Sequence, residues 1–159
     1  MNLILWRHAQ AEDQAETDLA RILTATGHQQ AEEIAGWLKP RLPEETEIWA
    51  SEAARSQQTA AHLSHNYTVM SALNPLTDAE TVLRVLAEAK QNSTIVIVGH
   101  QPWLGELCSF LLNQHWDSEP WSVKKGGFWW FKIQFDKHGF HSKLHAALTP
   151  KALETNGQD

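Results

Sequence analysis

Leu3-Ile4-Leu5-Trp6-Arg7-His8-Ala9 opens the chain with four apolar residues that lead directly into an arginine and a histidine. A short, wholly apolar run of this kind is typical of a buried strand in a parallel sheet. Ligands of open α/β sheets bind at the carboxyl ends of the strands, where Arg7 and His8 would lie. A guanidinium suits phosphate oxygens, and a neighbouring imidazole can act as nucleophile or acid/base. The stretch therefore predicts an α/β fold with a phosphate-directed site after its first strand.

Further along the chain, short apolar runs alternate with helical patterns. We predict strands over 2–6, 47–50, 67–73, 94–98, 128–135 and 140–147, and helices over 25–39, 52–63, 79–90 and 103–112. Three polar residues are suitable helix N-caps: Thr24, Ser51 and Asp78. The alternation indicates a mostly parallel sheet with helices on both faces, closed by an antiparallel hairpin at its edge. We expect one three-layer α/β/α domain over 1–153, followed by a polar tail over 154–159.

Composition restricts the possible classes of function. The chain has 159 residues, and 13 basic residues against 19 acidic ones give a net charge of −6. That balance argues against a dedicated nucleic-acid binder, although it allows a local positive pocket. No apolar stretch approaches the roughly 20 residues that span a bilayer, and the first apolar run is too short for a signal peptide. The single cysteine, Cys108, allows no internal disulfide, so we expect a cytoplasmic protein without a membrane partner.

Two other predicted strands end in residues that suit a phosphate. Ser51 follows the second strand, and Arg55 lies one helical turn later, where its side chain can lean back toward the helix amino terminus. The strand over 94–98 ends in Gly99 and His100. Together with Arg7 and His8, these residues would form a tetrahedral anion site with one histidine free to attack phosphorus.

Three blocks of sequence resemble the signatures of the histidine phosphatase superfamily, which also contains the phosphoglycerate mutases. They are Leu5-Trp6-Arg7-His8-Ala9, Ser51-Glu52-Ala53-Ala54-Arg55-Ser56-Gln57-Gln58-Thr59-Ala60 and Val96-Ile97-Val98-Gly99-His100. The short chain and the segment Arg21-Ile22-Leu23-Thr24-Ala25-Thr26-Gly27 resemble the small SixA-type phosphohistidine phosphatases. The resemblance extends from Asn2 to about Ala147.

The resemblance implies a two-step reaction without metal or organic cofactor. His8 would attack the phosphoryl group and form a phosphohistidine that water then hydrolyses, while Arg7, Arg55 and a protonated His100 bind the phosphoryl oxygens. We also assign substrate binding to Arg21, Ser51 and Gln10. The nearby positive charge should keep His8 neutral and ready to attack. The expected substrate is a phosphohistidine-bearing protein.

The chain departs from the family pattern at several positions. Ala9 stands where the family usually has glycine, which is tolerable unless that position needs a positive φ. Glu52 replaces a common proline and adds negative charge near the anion site. Larger relatives carry an acidic proton donor, for which the nearby candidates are Asp78 and Glu80, and both are equally explained as residues of a helix start. A phosphohistidine substrate has a good leaving group and need not require such an acid.

Other motifs have plainer interpretations. Histidines at 62 and 65, and at 138, 141 and 145, lack accompanying ligands at metal-binding spacing, so we expect no metal site. The segment Lys124-Lys125-Gly126-Gly127-Phe128-Trp129-Trp130 could stack on bases, but its alternation favours a core strand after a turn. Phe128 and Trp130 lie on the other face of that strand and are candidates for contact with a partner. The alternatives to a phosphohistidine phosphatase are a phosphatase for small phosphomonoesters, using Asp78 or Glu80, and a phosphate-binding protein without turnover.

Overall fold

The protein forms a six-stranded sheet with helices on both faces, as the sequence predicts. The structure, a computed structural model, describes residues 1–117, 119 and 121–154. The strands are β1 (Asn2–Arg7), β2 (Glu47–Ala50), β3 (Thr68–Val69), β4 (Thr94–Gly99), β5 (Phe128–Asp136) and β6 (Gly139–Leu148). The helices are α1 (Ala25–Leu38), α2 (Ala54–Leu63), α3 (Ala79–Ala87), α4 (Trp103–Asn113) and α5 (Pro150–Leu153). Apart from Glu154, the predicted polar tail lies outside the described residues.

The strand order is β3-β2-β4-β1-β5-β6. The first four strands are parallel, whereas β5 is antiparallel to both β1 and β6 and completes the edge hairpin. The register pairs Arg7 with Gly99 and Ala50 with Val98. Residues that follow β1, β2 and β4 therefore leave the sheet side by side, and this register gathers the predicted phosphate ligands.

Two hydrophobic cores lie on the two faces of the sheet. Along β1, Leu3 and Leu5 enter one core with α3 and α4, whereas Ile4 and Trp6 enter the other with α1 and α2. This alternation follows from the twofold side-chain period of a strand. Cys108 is buried in the first core. Phe128 and Trp130 are buried in the second, so the proposal that they contact a partner is wrong.

Several predicted boundaries also change. The segment predicted as a strand over 67–73 pairs only at Thr68–Val69, because the chain then turns into a 3-10 helix over Ser71–Leu73. Helix α2 begins at Ala54 and its N-cap is Ala53, so the prediction of Ser51 as a cap is wrong. The caps predicted for the other two helices are confirmed: Thr24 accepts from Gly27, and Asp78 from Thr81. Among the described residues, no helix has the length and apolar character needed to cross a membrane.

Candidate active site

His8 lies immediately after β1 and is almost wholly buried. Its backbone N–H donates to the Gly99 carbonyl over 3.1 Å, which joins the ends of β1 and β4. Its ring Nδ1 lies 2.7 Å from the carbonyl oxygen of Ala9. Since a carbonyl can only accept, Nδ1 carries the ring proton and Nε2 keeps a lone pair. This tautomer leaves the Nε2 lone pair available to attack an electrophile.

The surroundings of His8 favour its neutral form. Its pKa is lowered to about 3, chiefly because burial removes water, and further because Arg55, Arg7 and Arg21 are positively charged. The hydrogen bond to the Ala9 carbonyl opposes this effect. An imidazole that stays unprotonated at neutral pH keeps its attacking lone pair. A neutral His8 can therefore act as a nucleophile without a separate base.

His100 lies beside His8, with 5.1 Å between the ring centroids. Its Nε2 is 2.7 Å from the Oγ of Ser51, which also accepts from the backbone N–H of Ala53 over 3.2 Å. Burial lowers the pKa of His100 to about 2, with smaller effects from His8 and Arg55, so the ring is neutral in the protein alone. Because Ser51 Oγ already accepts from Ala53, its hydroxyl proton is available to donate to Nε2, and in that tautomer the ring proton of His100 lies on Nδ1. That buried Nδ1 has no partner in the described part of the chain and can donate to a phosphoryl oxygen.

Arg55 projects from the first turn of α2 and is also buried. Its Nη1 donates to the backbone carbonyl of Asp18 over 2.8 Å, and Nη2 lies 3.0 Å from Asp18 Oδ2. Arg7 donates through Nη1 to the carbonyl of Val123 over 2.9 Å. In both arginines, the buried Nε has no hydrogen-bond partner within the described residues. Each guanidinium is therefore fixed by the protein and keeps a donor for an anion.

Asp18 is the residue of this site that the sequence interpretation missed. It lies in a 3-10 turn between β1 and α1, and its other carboxylate oxygen is 2.9 Å from Nη1 of Arg21. Partial burial raises the pKa of Asp18, but hydrogen bonds from Arg55 and Arg21 lower it more, so the pKa lies below its ordinary value. An acid three residues before Arg21 in a polar loop is the only signal in the sequence. Asp18 links two of the predicted phosphate ligands.

The other two predicted substrate-binding residues, Arg21 and Gln10, form their side-chain hydrogen bonds within the loop between β1 and α1. Arg21 joins the site through Asp18 and also donates from Nε to the Glu12 carbonyl. Gln10 follows β1 closely, yet its side-chain oxygen accepts from the Thr24 hydroxyl over 2.8 Å, which braces the loop before α1. The structure thus brings Arg7, His8, Ser51, Arg55 and His100 together, with Arg21 one contact away.

The two candidate proton donors, Asp78 and Glu80, contact other residues at the start of α3. Asp78 caps that helix. Its carboxylate accepts hydrogen bonds from the backbone N–H and the hydroxyl of Thr81, and these bonds, the backbone one first, lower the pKa of Asp78. Glu80 is exposed and lies 4.0 Å from Arg84. A carboxylate that caps a helix stays ionised at neutral pH and makes a poor general acid. Both contacts agree with the helix-start interpretation of these residues.

The two departures from the family pattern fit the local structure. Ala9 is buried, its N–H donates to Thr59 Oγ1 over 3.1 Å, and it is not among the described residues with positive φ. Alanine therefore meets no backbone strain there. The carboxylate of Glu52 accepts from the side chain of Asn74 over 2.7 Å. This contact holds the added negative charge toward the loop after β3.

A family model and a relative of known name both match this chain, and the two matches agree with each other. Residues 3–77 match the model of the histidine phosphatase superfamily (branch 1). The chain is 29% identical, over 129 residues, to the phosphohistidine phosphatase SixA homolog of Haemophilus influenzae, a match that covers 72% of this chain and 79% of that protein.

Solved structures share the fold. The protein histidine phosphatase SixA complexed with tungstate superposes with a TM-score of 0.82 at 22% identity, over 97% of this chain and all of that one. The phosphoserine phosphatase of Entamoeba histolytica in complex with 3-phosphoglyceric acid gives a TM-score of 0.69 at 20% identity, over 96% and 99% of the two chains. At these identities, the likeness establishes the architecture alone.

Proposed function

Because residues 3–77 match the histidine phosphatase superfamily and the chain is similar to a SixA homolog, we propose that it is a member of that superfamily and hydrolyses phosphohistidine on a protein through a covalent intermediate on His8. The observation that carries the proposal is the contact of His8 Nδ1 with the Ala9 carbonyl, which leaves Nε2 unprotonated in a pocket of arginines. The tungstate in the SixA structure is a tetrahedral oxyanion, as a phosphoryl group is.

In the first step, Nε2 of His8 forms a bond to phosphorus while the bond from phosphorus to the substrate imidazole breaks. The free donors of Arg7, Arg55 and His100 hold the phosphoryl oxygens, whose negative charge they stabilise. In the second step, water attacks the phosphorus of the enzyme phosphohistidine, releases inorganic phosphate and returns the electron pair to Nε2. Positioning and charge supply most of the catalysis, because little covalent chemistry remains for other side chains.

The state of the nearby acids supports phosphohistidine over a phosphomonoester. A phosphohistidine that is protonated on its second ring nitrogen releases a neutral imidazole and needs no acid from the enzyme. An alkoxide leaving group needs a proton, yet Asp18 is held ionised by two arginines and Asp78 caps α3. These contacts leave neither carboxyl group suited to donate a proton.

The rim of the site supports a protein substrate. Leu19 and Ile22 follow β1, and Leu76 follows β3, so all three lie on loops at the carboxyl edge of the sheet. Each is exposed, and Leu76 is 99% exposed. The loop that carries Leu76 is held against the site, because Asn74 contacts Glu52 and accepts from the indole of Trp103. Exposed apolar side chains around a polar site suit contact with another protein.

Phosphate release tests the proposal directly. We would compare a phosphohistidine-bearing protein domain with an aryl phosphate, using the wild type, His8→Ala and the exposed-histidine control His138→Ala. Turnover on the phosphoprotein should disappear in His8→Ala and persist in the control. Activity on the aryl phosphate alone would identify a general phosphatase. A wild type that binds phosphate but turns over neither substrate would identify a binding protein.

A further inference from the structure

A cleft of about 680 Å³ opens beside the candidate site, and four of its nine lining residues are basic. Arg7 borders it on the side of the site. The other basic residues of the lining are Lys124, Lys125 and Lys151, and Glu154 is its one acid. We propose that this basic cleft binds an acidic segment of the phosphoprotein that lies next to the phosphohistidine. The inference rests on the function proposed above and names the surface that selects its protein substrate.

The turn that carries Lys124 and Lys125 is tied to the end of β1. The backbone N–H of Gly126 donates to the carbonyls of Arg7 and His8, each over 3.1 Å, and the N–H of Arg7 donates to the Gly127 carbonyl over 2.9 Å. The indole of Trp6 donates to the Gly126 carbonyl over 2.8 Å. These bonds fix the two lysines relative to the nucleophile, because they attach to the nucleophile's own backbone.

The part of the cleft that α5 forms is fixed to the same turn. Gly126 has a φ of +75°, and a Cβ at this position would contact Pro150 at 2.9 Å. Glycine therefore permits both the left-handed backbone and the close approach of α5. Lys151 follows Pro150 and lines the cleft together with Lys124 and Lys125. Arg7 belongs both to the cleft and to the candidate active site. Its Nη1 donates to the carbonyl of Val123, and its Nε remains free for the phosphoryl group.

The charge of the cleft contrasts with that of the whole chain. The net charge is −6, yet four cations face one acid here. All three lysines are exposed, and none forms an ion pair within the part of the chain that the structure describes. Unpaired cations around a concave surface attract acidic groups over about 10 Å and raise association rates. A long nucleic acid would meet the acidic remainder of the surface, whereas a short acidic peptide segment would not.

The decisive experiment uses two synthetic phosphohistidine peptides that differ only in whether acidic residues or their amides flank the phosphohistidine. At low salt, the wild type should show a roughly tenfold lower KM for the acidic peptide with the same kcat, as three exposed ion pairs would give. The triple variant Lys124→Gln, Lys125→Gln, Lys151→Gln should lose this preference, and so should the wild type at high salt. A small phosphoramidate should be hydrolysed equally by both proteins.

A matched variant removes the same charge elsewhere. Lys39, Lys90 and Lys132 are exposed and do not line the cleft, so their replacement by glutamine should preserve the preference. Equal KM values for the two peptides in the wild type, or an equal loss in this control, would overturn the inference. Calorimetric titration with the unphosphorylated acidic peptide keeps the test independent of turnover. If only the cleft variant loses binding of the acidic peptide, the inference is supported even if neither peptide is hydrolysed. If single-stranded DNA binds the wild type more tightly than the acidic peptide does, the inference is overturned and nucleic acid becomes the occupant of the cleft.

Discussion

Asp18 and Arg55 form an ion pair at the candidate active site, with 3.0 Å between Asp18 Oδ2 and Arg55 Nη2. The Asp18 carboxylate bridges to Arg21 on its other side, so one acid holds two cations. This carboxylate also competes with a phosphoryl group for the positive charge of the pocket. The pair therefore fixes Arg55 at the cost of some affinity for anions.

Replacing Asp18 by asparagine should strengthen the binding of anions. The amide oxygen can still accept from Arg55, but the negative charge is gone, so inorganic phosphate should inhibit about threefold more strongly. Steady-state inhibition by phosphate measures the change. Asp136→Asn provides the control, because it removes an exposed acid paired with His141 in the edge hairpin. Weaker inhibition in Asp18→Asn would instead show that the charge is needed to position Arg55.

The Ser51 hydroxyl should matter through His100 and not through helix capping. Ser51→Ala removes the group that fixes the tautomer of His100, so kcat on a phosphohistidine protein should fall by about tenfold or more. Stopped-flow measurement of phosphoenzyme formation would locate the loss in the first step. Ser109→Ala is a suitable control, because Ser109 is equally buried but bonds within α4 to the Glu106 carbonyl. Equal effects of the two substitutions would reduce the role of Ser51 to packing.

Much of this site follows from local sequence, because strand ends are marked by abrupt changes of residue type. The apolar runs before Arg7 and Gly99 define β1 and β4, and parallel pairing then brings His8 and His100 together. Ser51 lies in the predicted region, but the prediction that it caps α2 is wrong, because the cap depends on where α2 begins. Asp18 could not be predicted, because its meaning comes from contact with Arg55, 37 residues away. Loop residues acquire such roles only from long-range packing.

Stability should fall when the pH drops below about 6.5, because two buried histidines resist protonation. In the folded protein the pKa of His8 is about 3 and that of His100 about 2, both lowered first by burial, against 6.5 in the unfolded chain. Between these values the unfolded state binds more protons, so the free energy of unfolding decreases as pH falls. Each histidine contributes at most about 1.4 kcal/mol per pH unit over that interval.

Urea unfolding between about pH 7.5 and about pH 5 measures this slope. His100→Asn should reduce the slope, since it removes one of the two buried imidazoles. His138 is exposed in the turn of the edge hairpin and supplies the control, so His138→Asn should leave the slope as in the wild type. An unchanged slope in His100→Asn would contradict the assignment of acid sensitivity to the site.

Two glycines of α1 should respond in opposite directions to the same substitution. Gly27 is buried in the first turn, and a Cβ there would collide with the backbone carbonyl of Gln10, which accepts from the N–H of Thr24. Because the backbone must move, Gly27→Ala should lower the free energy of unfolding by about 1–3 kcal/mol and loosen the loop that follows His8.

Gly36 is exposed near the end of the helix, and a Cβ there meets nothing within 4 Å. Gly36→Ala should raise the free energy of unfolding by about 0.5–1 kcal/mol, since alanine favours the helix. Urea titration of both variants measures the difference, and destabilisation of equal size in both would refute the close contact between Gly27 and Gln10.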